Sequence, residues 1–106
     1  MAKLLVQASY TADGVKGLMK DGASSRKASV QKMIEAMGGT VEAFYYAFGE
    51  TDAVVILDVP DAATAVAVSM AVNASGAVRT SLTPLLTVEE VDAACEKTVG
   101  YRPPGA

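Results

Sequence analysis

Two hydrophobic periods alternate along the chain, a period of two residues that predicts strands and a longer one that predicts helices. The first strand is predicted at residues 3–10, where Leu4, Val6 and Ala8 occupy every second position. Runs rich in β-branched and aromatic residues predict three more strands, at residues 40–49, 52–59 and 76–86. Only the segment 49–52 separates the second strand from the third, so these two are expected to pair as a hairpin.

Helices are predicted in the intervening segments. Residues 24–39 carry the clearest helical pattern, with Val30, Met33, Ile34 and Met37 at positions i, i+3, i+4 and i+7 after a serine that can cap the helix. Residues 11–22 predict a shorter helix before it. Residues 60–75 predict another, which has no charged residue from Ala62 to Ala74 and is therefore expected to be covered on more than one side.

The last predicted helix, at residues 87–100, begins with the capping-box pair Thr87 and Glu90. Val88, Val91 and Cys95 form its apolar stripe, which is expected to face inward. A packed structural role is the main hypothesis for Cys95, because a reactive thiolate requires an electropositive and partly exposed setting.

The predicted element order is β-αα-β-β-α-β-α. A hairpin flanked by two crossover connections is typical of the split-βαβ, ferredoxin-like arrangement. The fold class is therefore α+β: a four-stranded antiparallel sheet of order 4-1-3-2, helices on one face, and an extra C-terminal helix. The domain is predicted to span residues 1–100, and proline excludes helix from the tail at 101–106.

Several segments together resemble the GYD-domain proteins, small bacterial proteins named for a Gly-Tyr-Asp motif. They include "YTADGVKGL", "GGTVEAFYYAFGETD", "LTPLLTVEEVDAA" and "VGYRPPG". The motif matches in part, since Glu50 and Thr51 separate Gly49 from Asp52 and no tyrosine lies between them. The resemblance implies a ferredoxin-like fold akin to the dimeric α/β barrels, in which oligomerisation buries the bare sheet faces. It implies no established activity.

Strand periodicity also assigns the two faces of the sheet. Leu4, Val6 and Ala8 are expected to meet the helices, as are Val78 and Leu82 on the fourth strand. On the second strand Glu42 is expected in the open, and strict alternation then places Phe44, Tyr46 and Phe48 with it. On the third strand Asp58 is likewise expected in the open, and alternation then places Val54 and Ile56 on the same face.

The open face is thus predicted to have an apolar half and a polar half. The apolar half is the predicted subunit interface of a homo-oligomer, formed by Phe44, Phe48, Val54 and Ile56, because such a patch is a liability on a monomer. The polar half is predicted to bind a small anionic or carbonyl-bearing ligand, with Tyr46 as an aromatic wall. Its residues are Gln7, Ser9, Tyr46, Arg79, Ser81 and Thr83. The alternative is that Arg79 pairs with an acid across the interface, such as Asp58 or Glu42.

The residue types restrict the possible chemistry. The chain has no histidine, which excludes Ser-His and Cys-His nucleophile systems and histidine-ligated metals. No catalytic residue, metal or cofactor is predicted. A cofactor-independent enzyme that uses the sheet cavity is an alternative resting on fold analogy, with Tyr45, Tyr46, Asp58 and Arg79 as its candidates. A purely structural oligomer is a third hypothesis.

The hairpin segment Gly49–Asp52 raises its own question, because Glu50 and Asp52 are acids close together. A turn is the preferred interpretation, with Asp52 bonding to its local backbone, and an oligomer contact is the second. The tail has two equal hypotheses: an arm that docks on a neighbouring subunit through Tyr101, or a frayed terminus.

Charge and composition narrow the partners. The net charge is −3 and the nine basic residues are scattered, so no basic stripe for nucleic acid is present. No apolar run is long enough to cross a membrane. The apolar stretch within the first ten residues is too short for the hydrophobic core of a secretory signal. With a single cysteine, the cytoplasm is the expected compartment.

Overall fold

The computed structural model describes residues 2–106 and contains four strands and four helices. The strands are β1 (Ala2–Tyr10), β2 (Thr40–Tyr46), β3 (Ala53–Val59) and β4 (Val78–Leu85). The helices are α1 (Ala12–Asp21), α2 (Ala23–Ala36), α3 (Ala62–Ala74) and α4 (Val88–Cys95). The predicted order of elements is confirmed. The ends of the elements lie within three residues of the predicted ones, except that α4 ends at Cys95, five residues before the predicted end.

All strands pair antiparallel in one sheet of order β2-β3-β1-β4. This is the predicted order 4-1-3-2 and confirms the α+β, ferredoxin-like fold class. β1 lies in the centre because it pairs with β3 on one side and β4 on the other, while β2 and β4 form the edges.

The core lies between one face of the sheet and the helices α2 and α3. Ile34 of α2 and Val59 of β3 are its most completely buried large side chains. Leu4, Val55 and Leu57 pack with them from the two central strands, which confirms the inward assignment of β1 and β3. We call this side of the sheet the helix face.

Helix α1 is fixed where it begins, because its backbone approaches the segment before β4. The Thr11 side chain accepts a hydrogen bond from the Gly14 N–H, and its backbone N–H donates to the carbonyl of Ala77 at 2.9 Å. A Cβ atom added at Gly14 would lie 2.0 Å from the Ala77 carbonyl oxygen. Only glycine permits this contact, so Gly14 has a structural role.

A β-bulge in β2 overturns one of the predicted faces. Val41 lies opposite Leu57 and Ala43 opposite Ile56, so Glu42 is an extra residue without a partner on β3. An extra residue reverses which face the following residues occupy. Glu42 remains in the open, where it pairs with Lys3 of β1.

Beyond the bulge, the prediction that Phe44 and Tyr46 lie on the open face is therefore wrong. Phe44 packs against the core on the helix face, and Tyr46 packs against the buried cluster of Ala8, Ala53 and Val78. Phe48 lies outside the strand with a φ of 54°. Its ring stacks on that of Tyr46 with the centroids 5.8 Å apart.

The prediction that α3 is covered on more than one side is also wrong within a single chain. Its inner side packs on the core through Ala65, whereas Val66 and Met70 on its outer side are 50% and 63% exposed. Among residues 2–106, α3 packs mainly on β3 and β4 beneath it, and its charge-free outer side is left exposed.

The C-terminal segment, residues 86–106, extends away from the rest of the chain, and we call it the arm. Every one of its residues is exposed, Cys95 included, so the predicted packing of Val88, Val91 and Cys95 inside the domain is wrong. The radius of gyration is 17.1 Å, whereas about 13 Å is expected for a compact domain of this length. The reason is geometric: after β4 the chain does not turn back towards the body, here residues 2–85.

Candidate functional site

The polar part of the open face is formed where β1 and β4 pair. Ser9 lies opposite Arg79 and Gln7 opposite Ser81, while Thr83 lies opposite Leu5. Directly paired residues share a face, so the structure brings five of the six predicted ligand-binding residues together. Tyr46, the sixth, lies on the helix face. The binding role itself stays a prediction.

The apolar part of the open face is smaller than predicted. Ile56 of β3 lies opposite Leu5 of β1, and Val54 lies beside Gln7. On the other side Tyr45 of β2 pairs with Val54, and its side chain is 70% exposed. Because of the bulge, Tyr45 and not Phe44 or Tyr46 supplies the aromatic ring on this face, so the apolar patch consists of Leu5, Tyr45, Val54 and Ile56.

Charged residues occupy the end of the open face where β1 begins. Lys3 forms a salt bridge with Glu42, the only ion pair found among residues 2–106. The pKa of Lys3 is raised, first by its hydrogen bond to Glu42 and then by the charges of Glu42 and Asp58. One carboxylate oxygen of Asp58 is buried without a hydrogen-bond partner. Within the chain, Glu42 is therefore paired with Lys3 and not with Arg79.

The segment Gly49–Asp52 forms the turn that the sequence predicts, but Asp52 bonds to a distant strand. Its carboxylate accepts a hydrogen bond of 2.8 Å from the backbone N–H of Tyr10, and its own N–H donates to the carbonyl of Ala8 at 2.8 Å. The expectation that the Asp52 side chain bonds to the backbone of its own turn is corrected accordingly. Asp52 fastens the hairpin loop to the end of β1, which is a structural task.

A groove opens on the helix face between α1, α2 and α3. It has a volume of about 390 Å³. Beneath it, between the helices and the sheet, lies a smaller and almost wholly apolar cavity of about 70 Å³. Tyr10, Arg26, Met33, Val72 and Val78 line both spaces, so the two adjoin.

Tyr10 and Arg26 lie at this junction, and the Tyr46 hydroxyl is close to both. Tyr10 ends β1 on the helix face, and Arg26 belongs to the first turns of α2. Burial raises the pKa of the Tyr46 hydroxyl, the neighbouring Tyr10 adds to the rise, and Arg26 opposes it. The Tyr46 hydroxyl donates a long hydrogen bond of 3.4 Å to the carbonyl of Ala23, at the start of α2.

Neither Tyr10 nor Arg26 is among the residues predicted from the sequence, although a signal for each exists. Tyr10 continues the alternation of Leu4, Val6 and Ala8 onto the helix face. Arg26 lies one helical turn before Val30, so it shares the buried stripe of α2. A polar residue at an inward-facing position of a strand or helix is therefore a sequence pattern that indicates a site of this kind.

Two further findings concern metal sites and membranes. Among residues 2–106, no three Asp, Glu or Cys side chains converge in a way that could hold a metal ion. In the same part of the chain, no helix has both the length and the apolar character to cross a membrane.

Comparison with known proteins agrees with the resemblance seen in the sequence. No curated protein and no solved structure matches the chain. A family model described as GYD domain matches residues 4–95. This range contains all four helices and all four strands, apart from the first two residues of β1. The chain therefore belongs to the GYD domain family.

Proposed function

We propose that this protein is a homo-oligomeric domain in which copies associate through the open sheet face and the arm. The observation that carries the proposal is the arm itself, a segment with no buried residue that includes a regular helix. Helices shorter than about 12–15 residues are marginal in water without packing. α4 has eight residues, so a covering surface would supply the stabilisation that its own chain does not.

The arm has the apolar side chains that such an association needs. Leu86, Val88, Val99 and Tyr101 are each about 70–80% exposed, and Val91 about half. Fully burying side chains of this size is worth roughly 1.5–3 kcal/mol each. Burying all five would contribute at most about 7.5–15 kcal/mol, which is of the same size as an association cost of about 4–15 kcal/mol. The open sheet face is therefore proposed as a second contact that adds to the arm.

The open sheet face supplies that second contact. Leu5, Val54 and Ile56 are neighbours there, and within residues 2–106 no helix packs on that side of the sheet. A second copy would bury this patch. The family resemblance implies the same arrangement, in which oligomerisation buries the bare sheet face. The arm and the patch lie on one chain, so two copies related by a two-fold axis would each give and receive the same contacts.

A pair of lysine substitutions tests the proposal. Ile56→Lys places a charge in the centre of the open patch, whereas Ser29→Lys places the same charge on an exposed position of α2, on the other side of the sheet. We expect Ile56→Lys to lower the mass measured by light scattering from oligomer to single chain, and Ser29→Lys to leave it unchanged. Equal masses for both variants and the parent, at micromolar concentration, would contradict the role of the patch.

A second candidate function is the binding of a small anionic or carbonyl-bearing ligand on the polar part of the open face. It is supported by Arg79, which is exposed beside Ser9 and has no ion pair among residues 2–106. The mass of the protein under native conditions, measured after purification without denaturant, tests this candidate. An extra few hundred daltons that Arg79→Gln removes would support it, and retention of the same extra mass by the variant would contradict it.

A further inference from the structure

The groove on the helix face has the size and the lining of a small-molecule site. Ligand sites are commonly about 300–1,000 Å³ and mostly apolar, with a few placed polar groups. The groove, of about 390 Å³, falls within this range. The cavity beneath it, about 70 Å³, has room for a small apolar group and no more. A ligand here would lie mainly in the groove and extend one apolar end inward.

The polar groups at the junction of the two spaces define what the other end of the ligand must be. Arg26 is half-buried there, and no acid pairs with it among residues 2–106. Tyr10 lines both spaces beside it and can donate a hydrogen bond. A guanidinium and a hydroxyl together suit a carboxylate, because a charge-assisted hydrogen bond is stronger than a neutral one.

The remaining charges in the groove restrict the ligand further. Asp13 and Asp21 of α1 line the groove but not the inner cavity. A ligand with one anionic group can place it on Arg26, whereas a second anionic group would have to lie near these carboxylates. Like charges at short range repel, so the lining favours a monoanion over a dianion or a phosphate ester.

We propose that the groove between α1, α2 and α3 binds a small apolar monocarboxylate, held by Arg26 and Tyr10, with its apolar end in the cavity beneath. This site is formed by residues of one chain, on the side of the sheet opposite to the proposed subunit contact. It is thus separate from the open-face site and does not depend on the oligomer.

Titration of the intact protein with three related probes tests the proposal. The probes are phenylacetate, its neutral amide phenylacetamide, and the dianion phenylsuccinate, each followed by backbone amide NMR shifts. We expect shifts at the groove residues with phenylacetate, and a dissociation constant about tenfold higher for the amide, which lacks the charge-assisted bond. Phenylsuccinate is expected to bind more weakly than phenylacetate. Equal affinity for all three, or no shifts at the groove, would overturn the proposal.

Variants then separate this site from non-specific binding. Arg26→Gln should remove the preference for phenylacetate over its amide. Ala71→Trp fills the groove from α3, and Ala67→Trp is its control, an exposed alanine on the same helix that lines neither space. We expect Ala71→Trp to abolish binding while Ala67→Trp binds as the parent does. Unchanged binding by a folded Ala71→Trp protein would overturn the proposal whether or not the chain is oligomeric.

Discussion

Helices α2 and α4 have similar apolar stripes and opposite surroundings. On α2, Ile34 is completely buried and Val30 and Met33 pack beside it. On α4, Val88 and Val91 follow the same helical spacing but are 73% and 47% exposed. Each sequence predicts an apolar side on its helix, but within residues 2–106 only that of α2 packs against the rest of the chain.

This difference shows what a hydrophobic pattern specifies and what it does not. A stripe states that one side of a helix gains from being buried, because apolar area leaves water. It does not state which surface covers it. For α2 the covering surface is the sheet of the same chain. For α4 we infer that the covering surface belongs to another copy.

The comparison predicts its largest effect in the core. Ile34→Ala should lower the free energy of unfolding by about 2–5 kcal/mol, because the deletion leaves a cavity at a fully buried position. Val91→Ala, in the arm, should leave the unfolding of a single-chain form unchanged. Urea denaturation of each variant in the monomeric Ile56→Lys background measures both. A loss of similar size for Val91→Ala would mean that α4 packs within its own chain.

A smaller effect is expected from the glycines of α1, which differ in the space around them. Gly14→Ala should cost about 1–3 kcal/mol, since its Cβ would lie 2.0 Å from the Ala77 carbonyl oxygen and the helix would have to shift. Gly17 is the matched control, with nothing within 4 Å of an added Cβ. Gly17→Ala should stabilise by up to about 1 kcal/mol through helix propensity. Thermal denaturation distinguishes the two, and a gain for both would show that α1 does not approach the segment before β4.

The smallest expected effect concerns the cap of α4. The Thr87 hydroxyl accepts a hydrogen bond from the Glu90 N–H at 3.1 Å, and the Glu90 carboxylate accepts one from the Thr87 N–H at 3.1 Å. Thr87→Ala should cost this helix about 1 kcal/mol. In a single-chain form the loss should appear as local fraying, seen in hydrogen exchange of the arm, with no change in the unfolding of the body. A matching loss of global stability would contradict the separation of arm and body.

Much of the fold follows from patterns that act within a few residues. Alternation along β1, β3 and β4 assigns their faces correctly, and Gly38-Gly39 follows the end of α2 as a break in the helical pattern should. The short hairpin connection and the crossover helices then leave few sheet orders to consider. For these reasons the element order and the sheet order could be predicted together.

The face of β2 could not be predicted by strict alternation, because one extra residue reverses it. The signal was present: apolar Val41 and Phe44 are three positions apart, which alternation of period two does not allow on one face. The groove residues were missed for a different reason. Tyr10 and Arg26 are brought together by the packing of α2 against the end of β1, and no local pattern encodes a contact of that kind.

The mass of the intact protein in solution tests the central claim most directly. Light scattering across a dilution series in the micromolar range would measure it on the full chain, with deletion of residues 86–106 as the comparison. We predict a defined oligomer for the full chain. For the shortened chain we predict fewer copies per particle, with the body still folded. A full chain that stays at the 10.9 kDa mass of one copy at every concentration would contradict the account.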